Sequence, residues 1–383
     1  MCRDAGRHFA TSIEFDFYHA RMGGLQLRVT KTVGEYLLGA GAIAEFERVL
    51  SGHADRPDDR VVYLFDRYFS DGRLAGRLPV KASDTVRYID TTDEPTTDAV
   101  DMLVADLRNG PPIKAVIGVG GGATLDTAKA VSNLLTNDGK AADYQGWDLV
   151  PRPGVFKVGV PTLSGTGAEA SRTCVMMNQV KNLKLGMNSD HTVYDRLVLD
   201  PDLTATVPTD QYFFTGMDTY IHCVESLAGR YRHAFADACS DQAMRLCREV
   251  FLQGDMRAAE NREKLMVASF LGGTAIGNSY VGLVHPFSAG LSMVFHTHHC
   301  VGNCIVMNAM DEFYPRQTEE FRRMAEVQGI TVPRGLCHDL SDQQYRALYD
   351  ATTIHVKPLA NALGDDFKTF LTYDKVVEIF RKM

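Results

Sequence analysis

The sequence predicts a doubly wound parallel α/β domain followed by an all-helical domain, and three observations predict it. Short apolar, β-branched runs alternate with helical patterns through the first half, one of those runs ends in glycines, and beyond Leu203 only long helical patterns follow. Val61–Asp66 (VVYLFD) and Lys114–Gly122 (KAVIGVGGG) read as buried parallel strands, the first ending in a carboxylate and the second in a glycine turn. Thr97–Leu107 and Thr124–Leu135 space their apolar residues as helices, giving strand, helix, strand, helix. Val155–Val160 leads as a further strand into PTLSGTGAEAS, and Arg196–Asp202 is the last strand, stopped by Asp-Pro. Tyr212–Leu227, Ala236–Phe251, Arg262–Ala275, Thr318–Gln328, Gln343–Ala351 and Lys375–Lys382 then read as helices. The expected division is a dinucleotide-binding domain over 1–204 and a helical metal-binding domain over 205–383.

Composition narrows the function. At 383 residues the chain can bury a large core, and 45% hydrophobic, 23% charged, with 33 Gly against 14 Pro, excludes collagen, disulfide scaffolds and extensive disorder. Forty basic against 48 acidic residues give a net charge of −8, the wrong field for a phosphate backbone, so no nucleic-acid partner is expected. Eight cysteines without a C-x-x-C pair read as reduced thiols of a cytoplasmic protein. The first residues, MCRDAGRHFATSIEFDFYHARMGG, lack the apolar core of a leader, and no apolar stretch reaches the ~18 residues a bilayer span needs, so no membrane partner is expected either.

Two constellations carry chemistry. In GVGGGATLDTAK, residues 118–129, glycines let the backbone approach a ligand and the following helix offers free N–H groups to a pyrophosphate. The best ribose-reading carboxylate, Asp66, precedes this loop instead of following it by about 20 residues, which makes the domain a Rossmann variant. Asp126 is expected in the first turn of that helix, where it caps N–H groups or meets the cofactor. The second constellation is Asp218 and His222, at i and i+4 on one helix face, with His285 and the cluster His296, His298 and His299 further on. A carboxylate with two or three imidazoles suits Fe²⁺ or Zn²⁺.

Here the chain resembles a family. GGGATLDTAK is similar to the GGGSxxDxAK signature of the iron-containing alcohol dehydrogenases, which have the dehydroquinate synthase-like fold. PTLSGTGAEAS resembles their PTxxGTGSE loop, and LVLDPDLTATVPTDQYFFTGMDTYIHCVES resembles the stretch from DPxL through GxDAxxHxxE. The resemblance covers roughly residues 30–310 and implies metal ligands Asp218, His222, His285 and His299, the last selected by its spacing of 14 from His285. It implies NAD contacts from Asp66, Gly120, Gly121, Gly122, Thr162 and Thr166, with Lys184 near the nicotinamide. Ala123 and Ala168 stand where the family has serines, Leu163 where threonine is common, and Ala289 where many members carry a second histidine. His296, His298, Tyr220 and Tyr280 are the candidates for a proton relay in its place, while Cys223, Cys300 and Cys304 read as packing thiols. YVGLVHPFSAGLSMVFHTHHCVGNCIVMNAM further resembles the branch containing 3-deoxy-manno-octulosonate 8-oxidase, which implies oxidation of the terminal primary alcohol of an acidic sugar. A dehydroquinate synthase-like cyclase and a non-catalytic nucleotide-binding protein are the competing readings. A small-molecule alcohol or sugar substrate and a homodimer are the partners implied.

Overall fold

The computed structural model describes residues 21–22, 25–26, 30–181 and 183–383. The chain forms two compact units, 1–31 and 32–383. In the first, β1 (Arg21–Met22) pairs antiparallel with β2 (Leu25–Gln26). Apart from Arg21 and Met22, the segment read for a leader, with Cys2, lies outside the described residues.

The second unit opens with an α/β half. Its strands are β3 (Glu35–Leu38), β4 (Arg60–Asp66), β5 (Thr85–Ile89), β6 (Ile113–Gly120), β7 (Gly146–Trp147), β8 (Phe156–Pro161), β9 (Thr173–Asn178), β10 (Leu183–Asn188) and β11 (Arg196–Leu199). The helices among them are α1 (Phe46–Leu50), α2 (Thr97–Arg108) and α3 (Gly122–Thr136). One six-stranded sheet, all parallel, runs β3-β11-β8-β6-β4-β5. Its central strands are apolar on both faces because both are covered. On one face Val61, Tyr63, Phe65, Ile117 and Val119 join one core, and on the other Val62, Leu64 and Val116 meet Ala128 and Val131 of α3. Each such fully buried side chain contributes about 2 kcal/mol.

The strand register sets the site. Phe65 pairs with Val119 and Gly120 with Pro161, so Asp66, the glycine turn and Thr162 sit together at the carboxyl ends of three neighbouring strands, the edge where open α/β sheets bind ligands. The structure moves several expected boundaries. Helix α3 begins at Gly122, which puts Asp126 in its second turn and not in the first. The run Arg196–Asp202 is strand only to Leu199; Pro201, with no N–H to donate, turns the chain into a short 3₁₀ helix. The sheet β7-β10-β9 had no clear sequence signal, since its strands mix polar and apolar residues on both faces.

Past Leu203 the chain is helical: α4 (Thr209–Ala228), α5 (Ala234–Leu252), α6 (Ala259–Ser279), α7 (Val284–Phe295), α8 (His299–Met307), α9 (Pro315–Val327), α10 (Asp342–Thr353), α11 (Val356–Leu363), α12 (Phe367–Phe370) and α13 (Tyr373–Phe380). Helix α4 is the axis of this half, with every residue from Tyr212 to Ser226 buried. Its Phe213 packs edge-on against Phe251 of α5, and the missing side chain of Gly216 leaves room for Phe251 and Leu265. No single described helix is long and apolar enough to cross a membrane; the bent pair α6–α7 passes by length and composition, with a bend of 102°.

Candidate active site

The glycine turn is tight for a reason visible at each position. A Cβ on Gly120 would lie 2.9 Å from the Asp66 Cβ and 2.7 Å from Thr124, one on Gly121 would meet Leu163 at 2.7 Å, and one on Gly122 would meet Thr166 at 3.1 Å. The Thr162 N–H donates to the Gly120 carbonyl at 3.0 Å. The structure thus brings Asp66, Gly120, Gly121, Gly122, Thr162 and Thr166 into one cradle at the N-terminus of α3. Asp66 is half-buried; its Oδ1 accepts the Tyr68 N–H at 2.9 Å and its two oxygens face the Thr91 hydroxyl at 3.2 Å.

Asp126 is turned elsewhere. Its Oδ2 accepts the Val175 N–H at 2.9 Å and its Oδ1 lies 3.9 Å from the wholly buried Lys129, which donates to the Ser171 and Thr173 carbonyls at 3.0 and 2.8 Å. Burial pushes Asp126 up to about 6, against the pull of Lys129 and the Val175 amide. The pair ties α3 to the loop between β8 and β9.

That loop, carrying Thr162 and Thr166, is clamped to the helical half. Gly165 donates its N–H to the Ser269 hydroxyl at 2.8 Å and accepts from the Thr219 hydroxyl at 2.9 Å. At φ +154° it lies so close to α4 that a Cβ would stand 1.6 Å from the Thr215 carbonyl oxygen. Gly167, at φ +63°, packs on the Gly273 backbone, and the buried Glu169 accepts from Ser269 at 2.7 Å.

Thr215 and Thr219 flank Asp218, and here the second constellation assembles. Asp218, wholly buried, has Oδ1 3.6 Å from His222 Nε2 and 3.5 Å from His285 Nε2, and Oδ2 3.6 Å from His299 Nε2. One donor atom each from Asp218, His285 and His299 falls within 4.8 Å of the others, and the His222 ring stacks on His285 with centroids 4.8 Å apart. The charges suit a cation. Burial would raise Asp218, but His222, His299 and His285 together hold its carboxyl well below the usual range. Burial pushes His222 down to about 4; burial, with Lys184 nearby, pushes His299 down to about 3, so both rings are neutral at pH 7. Burial opposes charge on His285 too, but Glu225 and Asp218 outweigh it and raise it to about 10, a proton that an entering cation displaces. The buried Nδ1 atoms of His222 and His299 have no hydrogen-bond partner. Three imidazoles facing one carboxylate fit a divalent ion of the Fe²⁺ or Zn²⁺ type, and the glycine turn with the free N–H groups at the start of α3 fits a pyrophosphate.

Other expected positions divide. Lys184 on β10 is buried and pairs with Glu94 at 2.6 Å; burial would raise Glu94, but Lys184 and the neighbouring His299 and His298 hold it below the usual range. Tyr220 leaves the list of relay candidates, because its hydroxyl is bonded to Glu320 at 2.6 Å on the far side of α4. Tyr280, at φ +64°, stands edge-on to Trp147 at 5.1 Å, and Lys357 lies over both rings. Cys223 and Cys304 are wholly buried packing residues, whereas the Cys300 thiol reaches Asp218 Oδ2 at 3.8 Å. Sequence reasoning missed Glu225, which grips His285 although it sits at i+7 from Asp218 and i+3 from His222 on the same face. It missed Asn303, one helical turn beyond His299, whose amide touches three of the ligands. Glu94 and His355 had no local signal; His355 lies in a tail without resemblance, yet burial, Lys184 and His285 push it down to about 4.

Comparison with known proteins shows the fold and the family. The Bilophila wadsworthia sulfoacetaldehyde reductase is 34% identical over 216 residues, 55% of each chain, and the Bacillus methanolicus NAD-dependent methanol dehydrogenase is 30% identical over 57% of this chain and 58% of its own. The alignment thus spans little more than half the length of these curated relatives. A crystal structure of 1,3-propanediol oxidoreductase superposes with a TM-score of 0.78 at 20% identity, covering 93% of this chain and 99% of that one. The sulfoacetaldehyde reductase of Bifidobacterium kashiwanohense in complex with NAD⁺ gives 0.76 at 19% identity, covering 93% and 98%. Both share the fold, an α/β sheet half followed by a helical half. The pattern of the iron-containing alcohol dehydrogenases matches residues 34–201 and that of their C-terminal region matches 213–353, so the chain belongs to the iron-containing alcohol dehydrogenase family.

Proposed function

We propose that this protein oxidises a primary alcohol to an aldehyde, with NAD as hydride acceptor and Fe²⁺ or Zn²⁺ held by Asp218, His222, His285 and His299. The observation that carries it is the clamp of the Thr162–Thr166 loop on α4. One loop completes the nucleotide cradle through Thr166 and, at the preceding residue Gly165, grips the helix that presents Asp218. When bound, the ion supplies Lewis acidity toward the alcohol oxygen and the nicotinamide accepts the hydride. The chain does the rest. Asp218 and the three imidazoles fix the ion, Glu225 orients His285, and Lys184, held by Glu94, borders His299 on the cofactor side. Asp66 receives the ribose hydroxyls and repels a 2′-phosphate, which selects NAD over NADP.

For the substrate, the reading favours the terminal hydroxyl of 3-deoxy-manno-octulosonate or a similar acidic sugar. The resemblance of the His285–His299 stretch supports it, as does Lys357 beside Trp147 and Tyr280, two residues after His355, which lies near His285. The sulfoacetaldehyde reductase relative bears the name of an anionic substrate. A division at 204/205, a homodimer and a cytoplasmic setting belong to the same reading; the described cysteines, all free, are consistent with that compartment. The test is NADH formation by metal-analysed protein with 3-deoxy-manno-octulosonate, hydroxyethanesulfonate, methanol and 1-propanol. Octulosonate-dependent NADH with one equivalent of ion supports the whole reading. Another preferred alcohol removes the sugar and keeps the dehydrogenase, and no net NADH from any alcohol overturns it.

A further inference from the structure

We propose that Asn303 is a further member of the ion site, whose side-chain oxygen becomes an additional donor when a divalent cation binds; the inference rests on the metal reading above. Asn303 is on α8 four residues after His299, so both side chains share one helix face, and it is wholly buried. Its Nδ2 donates to Asp218 Oδ1 at 2.6 Å and lies 3.2 Å from Nε2 of both His285 and His299. The amide nitrogen therefore stands among the same three donor atoms that would face an ion. Its Oδ1 is buried without a hydrogen-bond partner, which costs about 1–3 kcal/mol for a group of this kind.

These two facts have one explanation. A carboxamide NH₂ carries only donors and a partial positive charge, so beside Asp218 it stands in for the charge of a cation. An ion entering among those donors meets the NH₂ with like sign at short range. Half a turn about the Cβ–Cγ bond exchanges NH₂ for oxygen in nearly the same volume, and that terminal torsion is soft. The turn removes the repulsion, aims a carbonyl oxygen at the ion and ends the isolation of Oδ1. No proton moves and no bond breaks. An extra oxygen donor also raises the available coordination number, which suits ferrous iron better than tetrahedral zinc.

The experiment measures Co²⁺, Fe²⁺ and Zn²⁺ affinity of the full-length protein by competition with a chromophoric chelator, together with the ligand-field absorption of the cobalt form. Asn303→Leu is expected to lose roughly 10–100-fold in affinity, more for iron than for zinc, and to show a more intense cobalt band as the coordination number falls. Asn303→Asp keeps an oxygen and loses the NH₂, so it is expected to bind within a few-fold of wild type with a wild-type band. NAD affinity, set in the other half, and circular dichroism report the fold. Wild-type affinity and spectrum in Asn303→Leu would overturn the proposal. So would a tenfold loss in folded Asn303→Asp, a variant that decides the question even where the leucine does not fold. Wild-type protein that takes up no divalent ion would overturn the proposed function itself, and this inference with it.

Discussion

Glu225 holds His285 by both of its oxygens: one faces the imidazole Nδ1, and the other accepts the backbone N–H groups of Val284 and His285 at 2.6 and 3.3 Å. The carboxylate thus closes the first turn of α7 and fixes the ring so that Nε2 points at Asp218. A carboxylate behind a ligating histidine typically sustains one to two decades of metal affinity. Glu225→Gln is expected to lose roughly tenfold and Glu225→Leu roughly 100-fold in divalent-ion affinity, read by chelator competition. Unchanged affinity in the leucine variant would remove Glu225 from the site.

Asp218 is the one anionic member of the ligand set, and three imidazoles face it within 3.6 Å. Asp218→Ala is expected to purify without ion and to lose turnover by at least about 10³-fold, since affinity and chemistry share the residue. A metal-replete Asp218→Ala protein with wild-type kcat would show that the ion sits elsewhere.

Asp66 is the residue proposed to read the cofactor ribose. Asp66→Ser is expected to raise kcat/KM for NADP relative to NAD by on the order of tenfold, about 1.4 kcal/mol. Steady-state kinetics with both cofactors check it, and an unmoved ratio would mean that another group reads the ribose.

Gly165 has no room for a methyl group. Gly165→Ala drives a Cβ into the Thr215 carbonyl, an overpacking that costs about 3 kcal/mol, whereas a Cβ on Gly254 meets nothing within 4 Å. Thermal unfolding is expected to separate the two variants, with NAD affinity falling only in the first.

Acid should weaken the metal-free protein. Burial holds His222, His299 and His355 at about 4, 3 and 4, below the ordinary value near 6.5, so the unfolded chain binds more protons between those limits. Their contribution to stability is complete above pH 6.5 and is lost as pH falls, by up to about 1.4 kcal/mol per pH unit for each histidine. His285, raised to about 10, works the other way: its contribution is full below pH 6.5 and is lost as pH rises toward 10. Set against His285 and the buried carboxyls Asp126 and Glu169, which burial raises and which therefore favour the folded state toward low pH, these three histidines are still expected to make the urea midpoint lower at pH 5 than at pH 7, and His355→Leu should shrink the difference. An equal midpoint at both values would contradict the burial of these rings as neutral groups.

By itself the sequence determined what local pattern can carry. Continuous apolar, β-branched runs specified β4, β6 and β8, the glycine turn specified a close backbone approach, and i, i+4 spacing put Asp218 and His222 on one face of α4. His285 and the cluster of His296, His298 and His299 were legible as candidates from residue type, but choosing His299 among them took the motif resemblance, because α7 and α8 are short and nearly all apolar, with no polar face to mark the ligand. Tertiary structure alone decided which groups surround the site. Glu94 precedes α2 by three residues, Lys184 is on a mixed three-stranded sheet and His355 lies in the last tenth of the chain, yet all three border His299 or His285. The fate of Asp126 was likewise a matter of packing: Lys129 is its neighbour on α3, but Val175, whose N–H it accepts, is brought to it by β9. The physical reason is the same throughout: spacing along one element fixes which side chains share a face, but a buried charge is settled by whatever other elements bring against it.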